Sequence, residues 1–587
     1  MIVSSLINYY DRLAEAGDSR VAPLGYSWQK IGFAVVLELD GRLHAIEDKR
    51  QEDYPLATKK KPNPKPVLRT RPMRVPGQAK SSGSGINPNL LWDQPGYMVG
   101  YRPDDKNPER TAEAFAAFRI RHLALEKEIN APEFSAVCRF LEHWSSEQLI
   151  DEARKIIDHG GFGVFQVRGQ QRYVYELPEV QAYWARQGQG EDERPLVPSL
   201  VSGEPVKAAR LHEPQIKGVR GAKMGGAPLV GFNCSAFESY GLKQGENAAM
   251  SDAEAFKYCT GLNILISSQR AYLDQTTLVY WTGAPAEAES FLGFVLDRQP
   301  EDNALREKVL AALSAIVQGR NPQEFGEPEN PLYVLGLTGD AGRISVRYWH
   351  RSTLEDFYAR LKDHFSALAI EREHENQPQY PTMWQLLKAT VRRADNGKYD
   401  EIRRGLPEAF LQAILNGSIY PMELYTAVLR RMRIEGRVSY FKAATIKAVL
   451  VRNYAMNDEQ EQGPSYRLGR LLAVLEKLQY GAVGSAPING FFGSASVTPG
   501  LVFPRLIRGA QPHCAKLKTQ GKAGLAIWYQ QRVQEILEPV TAYPQRLNLI
   551  EQGLFGLGYY HQQRAIYTKA PAEVVEAAND ETETEIE

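Results

Sequence analysis

The chain has 587 residues, 43% hydrophobic and 24% charged, with 70 basic against 70 acidic side chains: an ordinary folded protein with room for several cores. Four widely spaced cysteines (Cys138, Cys234, Cys259, Cys514) form no Cys-x-x-Cys pair, which argues against a disulfide framework or zinc site and for a reducing compartment, the cytoplasm. No stretch nears the roughly 18 uninterrupted apolar residues of a membrane span, and the opening MIVSSLINYYDRLAEAG reads as no signal peptide.

In chain order, a helix is predicted over 2–16, with Leu6, Tyr9, Tyr10 and Leu13 at helical spacing. IGFAVVLEL, Asp40-Gly41 and RLHAIED read as a hairpin with a type I′ turn. Residues 55–95, rich in Pro, Gly, Ser and Lys, read as a long loop that orders on binding. Helices follow over 111–128 and 145–158, then a second hairpin from GVFQV and RYVYEL across Arg168-Gly169-Gln170-Gln171. After a polar linker at 186–194, glycines crowd 218–245 ahead of a helix over 253–267. TTLVYWTG reads as a strand, and LYVLGLTG with AGRISVRYWH as a hairpin turning at Asp340.

From Ser352 the pattern is helical: 352–370, 382–394, 421–434, 439–454, 464–480 and 525–538, broken by glycine and proline over 481–512. The expected fold class is α+β: a mixed N-terminal α+β region with several β-hairpins, then a C-terminal α-helical bundle. We divide the chain at 1–195, 196–350, 351–455 and 456–570, with a disordered acidic tail over 571–587.

Charge is unevenly placed. The tail holds seven acids and no Lys or Arg, leaving about +7 on the rest of the chain. Between Asp53 and Asp93 there is no acid, while Lys59, Lys60, Lys61, Lys65, Arg69, Arg71, Arg74 and Lys80 supply eight cations. Between Glu476 and Glu535 there is again none, against seven cations. A third window, Arg430 to Arg452, is mostly basic. One such run is ordinarily a solvated face; three favour an anionic polymer as partner.

Catalytic patterns are absent. There is no GxxxxGK[ST] loop, HExxH helix or GxSxG elbow. His350 and His364 are the nearest thing to a histidine pair and read as structural; EREHENQ (371–377) reads as solvated surface. GGFGVF (160–165) leads into a strand and so lacks the helix N-terminus that would hold a phosphate. We expect no enzyme, no cofactor and no metal.

The most informative stretch is IKGVRGAKMGGAPLVGFNCSAFESYGLKQGENAAMSDAEAFKYCTGLN (216–263). Glycines let backbone approach a groove, Lys217, Arg220 and Lys223 suit phosphates, and the amides and hydroxyls that follow can reach base edges. A self-satisfied, turn-rich connection is the plainer reading. The segment resembles the hallmark of the large-subunit family of type I-C CRISPR complexes. INPNLLWDQPGYMVGY (86–101), YVLGLTGDAGRISVRYWH (333–350), YPMELYTAVLRRMR (420–433), YFKAATIKAVLVRN (440–453) and FGLGYYHQQR (555–564) extend the likeness in the family's order. The acidic tail departs from the family pattern.

The resemblance implies the large subunit of Cascade, a non-catalytic DNA-binding protein that reads the protospacer-adjacent motif (PAM) duplex, promotes R-loop formation and docks the helicase-nuclease. Expected partners are guide crRNA, target double-stranded DNA and the other Cascade subunits (backbone, guide-5′-end-binding and small), with no membrane. On this reading Lys217, Arg220 and Lys223 hold phosphates beside the motif, and Asn233, Ser235, Ser239 and Gln244 reach bases. Lys59, Lys60, Lys61, Arg69, Arg71 and Arg74, with Asn87 and Asn89, grip duplex or guide; Arg430, Arg431, Arg505, Arg508, Lys516 and Lys518 hold the displaced strand. The family's habit of encoding its small subunit inside the large one points to an internal start at Met456. The alternatives are a metal-dependent nuclease, or an architectural guide-binding subunit without duplex sequence preference.

Overall fold

The computed structural model describes residues 2–53, 65–78, 85–187, 194–232, 234–286, 288–296, 303–320, 326–456 and 463–569. The chain divides into two compact units, Met1–Ser268 with Leu337–Val346, and Gln269–Gly336 with Arg347–Glu587. The α+β class is as expected, with strands in the N-terminal region and a mostly helical C-terminal region.

The first unit opens with α1 (Ile2–Glu15), which turns Leu6, Tyr9, Tyr10 and Leu13 inward. Strand β1 (Tyr26–Leu37) is buried at every residue from Ile31 onward, as a strand covered on both faces must be. Strand β2 (Leu43–Asp48) returns antiparallel to it. The hairpin forms, but its turn is not the expected type I′. Asp40 uses its carboxylate to accept the Arg42 N–H (3.0 Å), and only Gly41 takes a left-handed φ, 94°. The Gly41 N–H donates to the Glu38 carbonyl, and the register shifts beside Leu37, the signature of a turn followed by a glycine bulge.

Strands β3 (Gln51–Asp53) and β4 (Val67–Arg69) pair with each other, and β5 (Arg71–Pro76) runs antiparallel along the first half of β1. Then come β6 (Trp92–Asp93), α2 (Pro95–Met98), α3 (Pro108–Ile129), α4 (Pro132–His143) and α5 (Asp151–Asp158). Strand β7 (Phe162–Val167) lies parallel to β1 and antiparallel to β6, giving the order β2-β1-β7-β6 with β5 also on β1. The predicted second hairpin does not form. Strand β1 takes one edge of β7 and β6 the other at Gly163 and Val164, and Val174–Glu176 winds into a 3₁₀ turn closed by the Tyr173 N–H on the Glu176 carboxylate (2.8 Å). An isolated bridge between Gln166 and Tyr173 remains. Phe118, Phe134, Phe140 and Phe165 fill this core. Helix α6 (Pro178–Gln187), the pair β8 (Leu196–Pro198) and β9 (Pro205–Lys207), and α7 (Asp252–Ser268) complete the unit's named elements.

In the second unit, β10 (Arg270–Leu273) and β11 (Thr276–Thr282) precede α8 (Ala288–Val295) and α9 (Asn303–Val317). Strands β12 (Pro331–Asp340) and β13 (Arg343–Thr353) complete a sheet ordered β10-β11-β12-β13; the outer part of this hairpin is grouped with the first unit. The rest is helical: α10 (Leu354–Leu368), α11 (Met383–Lys388), α12 (Leu406–Asn416), α13 (Met422–Glu435), α14 (Tyr440–Tyr454), α15 (Pro464–Val483), α16 (Phe492–Ala495), α17 (Pro499–Thr519), α18 (Ala523–Leu537) and α19 (Leu549–Lys569).

Helices α15, α17, α18 and α19 pack on one another. Glycine sets the α15–α19 distance: a Cβ on Gly469 would strike the Phe555 carbonyl oxygen, and one on Gly558 the Tyr466 carbonyl oxygen. The two backbones therefore touch, and the Tyr559 hydroxyl reaches the buried Glu476 carboxylate beside that crossing.

The predicted break over 481–512 is overturned in part, because α17 runs through Pro504 and Pro512. Both prolines are exposed, so the carbonyls they leave unpaired, at Gly500 and Arg508, lie toward the solvent side. Val502, Phe503, Leu506, Cys514 and Leu517 on the opposite face hold the helix to the core.

Candidate nucleic-acid interface

The glycine-rich segment is built from its base outward. Asn263 on α7 accepts the Lys217 N–H (2.9 Å) and donates to the Gln215 carbonyl (3.0 Å). Ile216 and Ala227 exchange both backbone hydrogen bonds (3.1 and 3.0 Å), closing residues 217–226 into a loop with Val219 buried beneath it. The tip of the β12–β13 hairpin seals one side. Gly339 N–H donates to the Arg220 carbonyl (2.7 Å), Ala341 N–H to Gly221 (3.1 Å), Lys223 N–H to Ala341 (3.0 Å) and Ile344 N–H to Pro228 (3.2 Å).

Only glycine permits this join: a Cβ on Gly339 would overlap Ala222, and one on Gly221 would overlap the Gly339 carbonyl, where φ is already +81°. Lys217, Arg220 and Lys223 are exposed on this pinned loop, and no acid occurs from Ile216 to Phe237. A fixed backbone carrying three outward cations in an acid-free run suits a phosphate chain.

The next turn is held by its own acids and amides. Glu238 accepts the Gln244 N–H (3.1 Å) and pairs with Lys243 (3.2 Å), contacts that hold its carboxyl below the usual range. Asn247 accepts the Ser239 N–H (2.9 Å) and donates to the Leu242 and Gln244 carbonyls. Ser235 and Ser239 are exposed. The Gln244 side-chain oxygen is engaged by Arg210 Nε (2.8 Å), so that residue braces the turn. Asn233 lies outside the described residues. Sequence reasoning missed two wholly exposed side chains here, Met224 and Tyr240, the latter at φ 56°. It also missed Arg343, whose guanidinium stands 3.4 Å over the Phe237 ring.

Of the N-terminal cations, Arg71 and Arg74 are exposed on β5, while Arg69 pairs with Asp53 (2.8 Å). Asn87 is exposed, and the half-buried Asn89 donates its N–H to Asp93 (2.9 Å), the mark of a turn residue. Lys59, Lys60, Lys61 and Lys80 lie outside the described residues, as does the acidic tail.

In the second unit Arg505, Arg508, Lys516 and Lys518 are all exposed on α17. At 100° per residue, Arg505, Arg508 and Lys516 fall within an arc of about 80°, and Lys518 turns away. Arg430 is exposed, but Arg431 is drawn into an ion pair with Glu435, which also takes buried Lys442. Met456 follows the left-handed Ala455 that ends α14. Its N–H donates to the Leu450 carbonyl (3.2 Å), and α15 starts afresh at Pro464.

His364, His122 and His561 have structural partners. His364 is fully buried, with Nδ1 2.6 Å from the Tyr420 hydroxyl; His122 lies between the Leu91 N–H (2.9 Å) and the Phe118 carbonyl (2.7 Å). His561 meets the Tyr466 hydroxyl at 2.8 Å. Burial pushes His364 down to about 3, and His122 and His561 to about 4. Below its ordinary value of 6.5 each would take up a proton in the unfolded chain before the folded one. Stability is therefore full above about pH 6.5 and falls as the pH drops toward 4. The slope is up to about 1.4 kcal/mol per pH unit per histidine. Urea unfolding at several pH values measures this; equal stability at about pH 6.5 and 5 would contradict it.

Among the described residues no three of His, Cys, Asp and Glu are placed to hold a metal ion. No helix among them is long and apolar enough to cross a membrane.

A family model described as CRISPR-associated protein (Cas_Csd1) matches residues 6–567. No curated protein matches the chain.

Proposed function

The chain belongs to the Cas_Csd1 family of CRISPR-associated proteins, and from that premise we propose that it is the non-catalytic large subunit of a type I-C surveillance complex. In this reading it recognises the PAM duplex and promotes R-loop formation. It assembles with guide crRNA, target double-stranded DNA and the other Cascade subunits, and then presents a docking surface to the helicase-nuclease. The observation that carries the reading is the loop over 217–226: three exposed cations, no acid, and a backbone fastened on two sides. Because guide pairing replaces one duplex by another of similar stability, contacts of this modest size suffice to tip strand exchange.

The division of labour is testable by duplex competition with and without a candidate motif. Lys217→Ala with Lys223→Ala should weaken matched and mismatched duplexes alike and lower the slope of log K against log salt by about 1.8, roughly 0.9 per phosphate contact. Asn233→Ala should instead erode the preference, by about 1–3 kcal/mol for a lost base-edge contact. Equal weakening of both duplexes by the Asn233 change would sink the base-reading role. Cleavage of DNA by the purified chain with Mg²⁺ or Mn²⁺ would favour a nuclease, and guide binding without any duplex preference an architectural subunit.

A further inference from the structure

A second surface of the first unit carries a different chemistry. Strands β1 and β5 place Trp28 directly opposite Arg74, and Lys30 opposite Pro72. Side chains alternate along each strand, so Trp28, Lys30 and Arg74 share one face, while Gln29, Ile31, Met73 and Val75 point into the core. Trp28 is 42% exposed, unusual for the largest apolar side chain, and among the described residues no aromatic ring stacks on it. Lys30 and Arg74 are exposed beside it, and the Arg74 guanidinium lies 5.8 Å from the Tyr26 ring centroid. Strand β5 itself lies within the run between Asp53 and Asp93 that contains no acid.

We propose that this face binds single-stranded nucleic acid, with one unpaired base stacked on Trp28 and the flanking phosphates held by Lys30 and Arg74. An open indole face accepts any base, and cations on either side match the backbone charge, the combination by which single strands are bound without sequence preference. A protein partner fits less well, because the exposed neighbours of the ring on the two strands, Lys30 and Arg74, carry like charge. A base paired inside a duplex has both faces covered and cannot use the site. The inference rests on the nucleic-acid role proposed above but concerns a different strand and a different surface from the glycine-rich loop.

The test uses the full chain and oligonucleotides of about 12 residues, as RNA, as DNA and as a closed duplex, across a salt series. Trp28→Ala should weaken the single strands on the order of tenfold and the duplex far less, and Trp28→Phe, which keeps a ring, should restore most of the loss. The salt slope should stay unchanged in both, because stacking releases no counterions. Lys30→Ala and Arg74→Ala should each lower it by about 0.7 for a single strand. Photocrosslinking of 5-iodouracil strands to the unaltered chain should map to the peptide containing Trp28, a readout that does not depend on how the variants fold. The RNA and DNA arms identify which strand is preferred, and either supports the site.

Unchanged single-strand affinity in Trp28→Ala, as a protein occupant would give, overturns the proposal. So does equal loss of duplex and single strand, or a crosslink mapping elsewhere. The two readings fail separately. Motif preference that survives Asn233→Ala would remove the proposed base-reading role and leave Trp28 standing.

Discussion

Alanine at Gly339 should abolish motif discrimination while leaving the fold in place. The glycine sits where the β12–β13 hairpin meets the glycine-rich loop, and an added methyl would overlap the Ala222 backbone, which cannot swing aside as a long side chain could. Relief requires the hairpin tip to withdraw, breaking the Gly339–Arg220 and Ala341–Gly221 hydrogen bonds that fasten the loop. Overpacking of this kind costs about 1–3 kcal/mol, an amount a loop sheds by detaching rather than by unfolding its unit. Discrimination worth about 1–3 kcal/mol per mismatched base pair would then fall toward nothing. Total affinity should fall less, since the lysines remain. Gly342 is the control: nothing lies within 4 Å of its would-be Cβ and its φ is not left-handed, so Gly342→Ala should bind as the parent does. Competition binding with a melting curve for each variant decides it. Undiminished preference in Gly339→Ala would mean that the loop does not depend on the hairpin.

The second large effect concerns a shorter product. If translation also begins at Met456, mass spectrometry of the purified complex should find a chain running from that residue to Glu587. Met456→Leu should remove it entirely and spare the full-length protein. The start divides no helix, since α14 is already closed by Ala455 and α15 begins at Pro464. Met432 lies within α13 and would truncate it, whereas Met422 is its first residue and would cost it only the Pro421 that precedes it. The product would retain α15, α17, α18 and α19, which pack on one another, together with the glycine crossing of α15 and α19. It would also keep the exposed cations of α17. Finding only full-length chain in a complex that still opens DNA completely would rule the internal start out.

Much of the helical part was legible from periodicity. α7, α13, α14 and α15 lie within a few residues of the spacing-based boundaries, because each is apolar at helical spacing and has glycine, serine or proline at one end or both. α17 was not, because two prolines in an exposed face look from sequence like a stop, although the buried face outweighs them. The second hairpin misled for the reverse reason: β-rich residues pair at a single bridge, Gln166 with Tyr173, and then wind into the 3₁₀ turn at Val174–Glu176.

At the candidate interface the exposed cations of 217–223 could be read from an acid-free run alone. What seals them could not, since the hairpin tip lies more than a hundred residues away in sequence and pairing at that separation leaves no local trace. Arg431 and Gln244 were both named as binders for their chemistry, but the structure gives each a protein partner, Glu435 and Arg210. Trp28 drew no attention because it precedes the predicted strand, which begins at Ile31, whereas β1 begins at Tyr26; its exposure follows from which face the sheet leaves uncovered.

The two prolines of α17 have a consequence for motion. Each supplies no amide hydrogen, so the helix lacks the rungs that would end on the carbonyls of Gly500 and Arg508, about two turns apart. Cooperative opening depends on an unbroken ladder, and interruptions divide a helix into shorter segments that fluctuate separately at lower free energy than global unfolding. Arg505 stands between the two gaps, and Arg508 carries the carbonyl of the second. Buried Leu506 anchors the stretch between the gaps, and Val502, Phe503, Cys514 and Leu517 hold it on either side, so any change of curvature pivots about Leu506. A basic surface built this way bends about that one buried anchor instead of moving as a rigid rod.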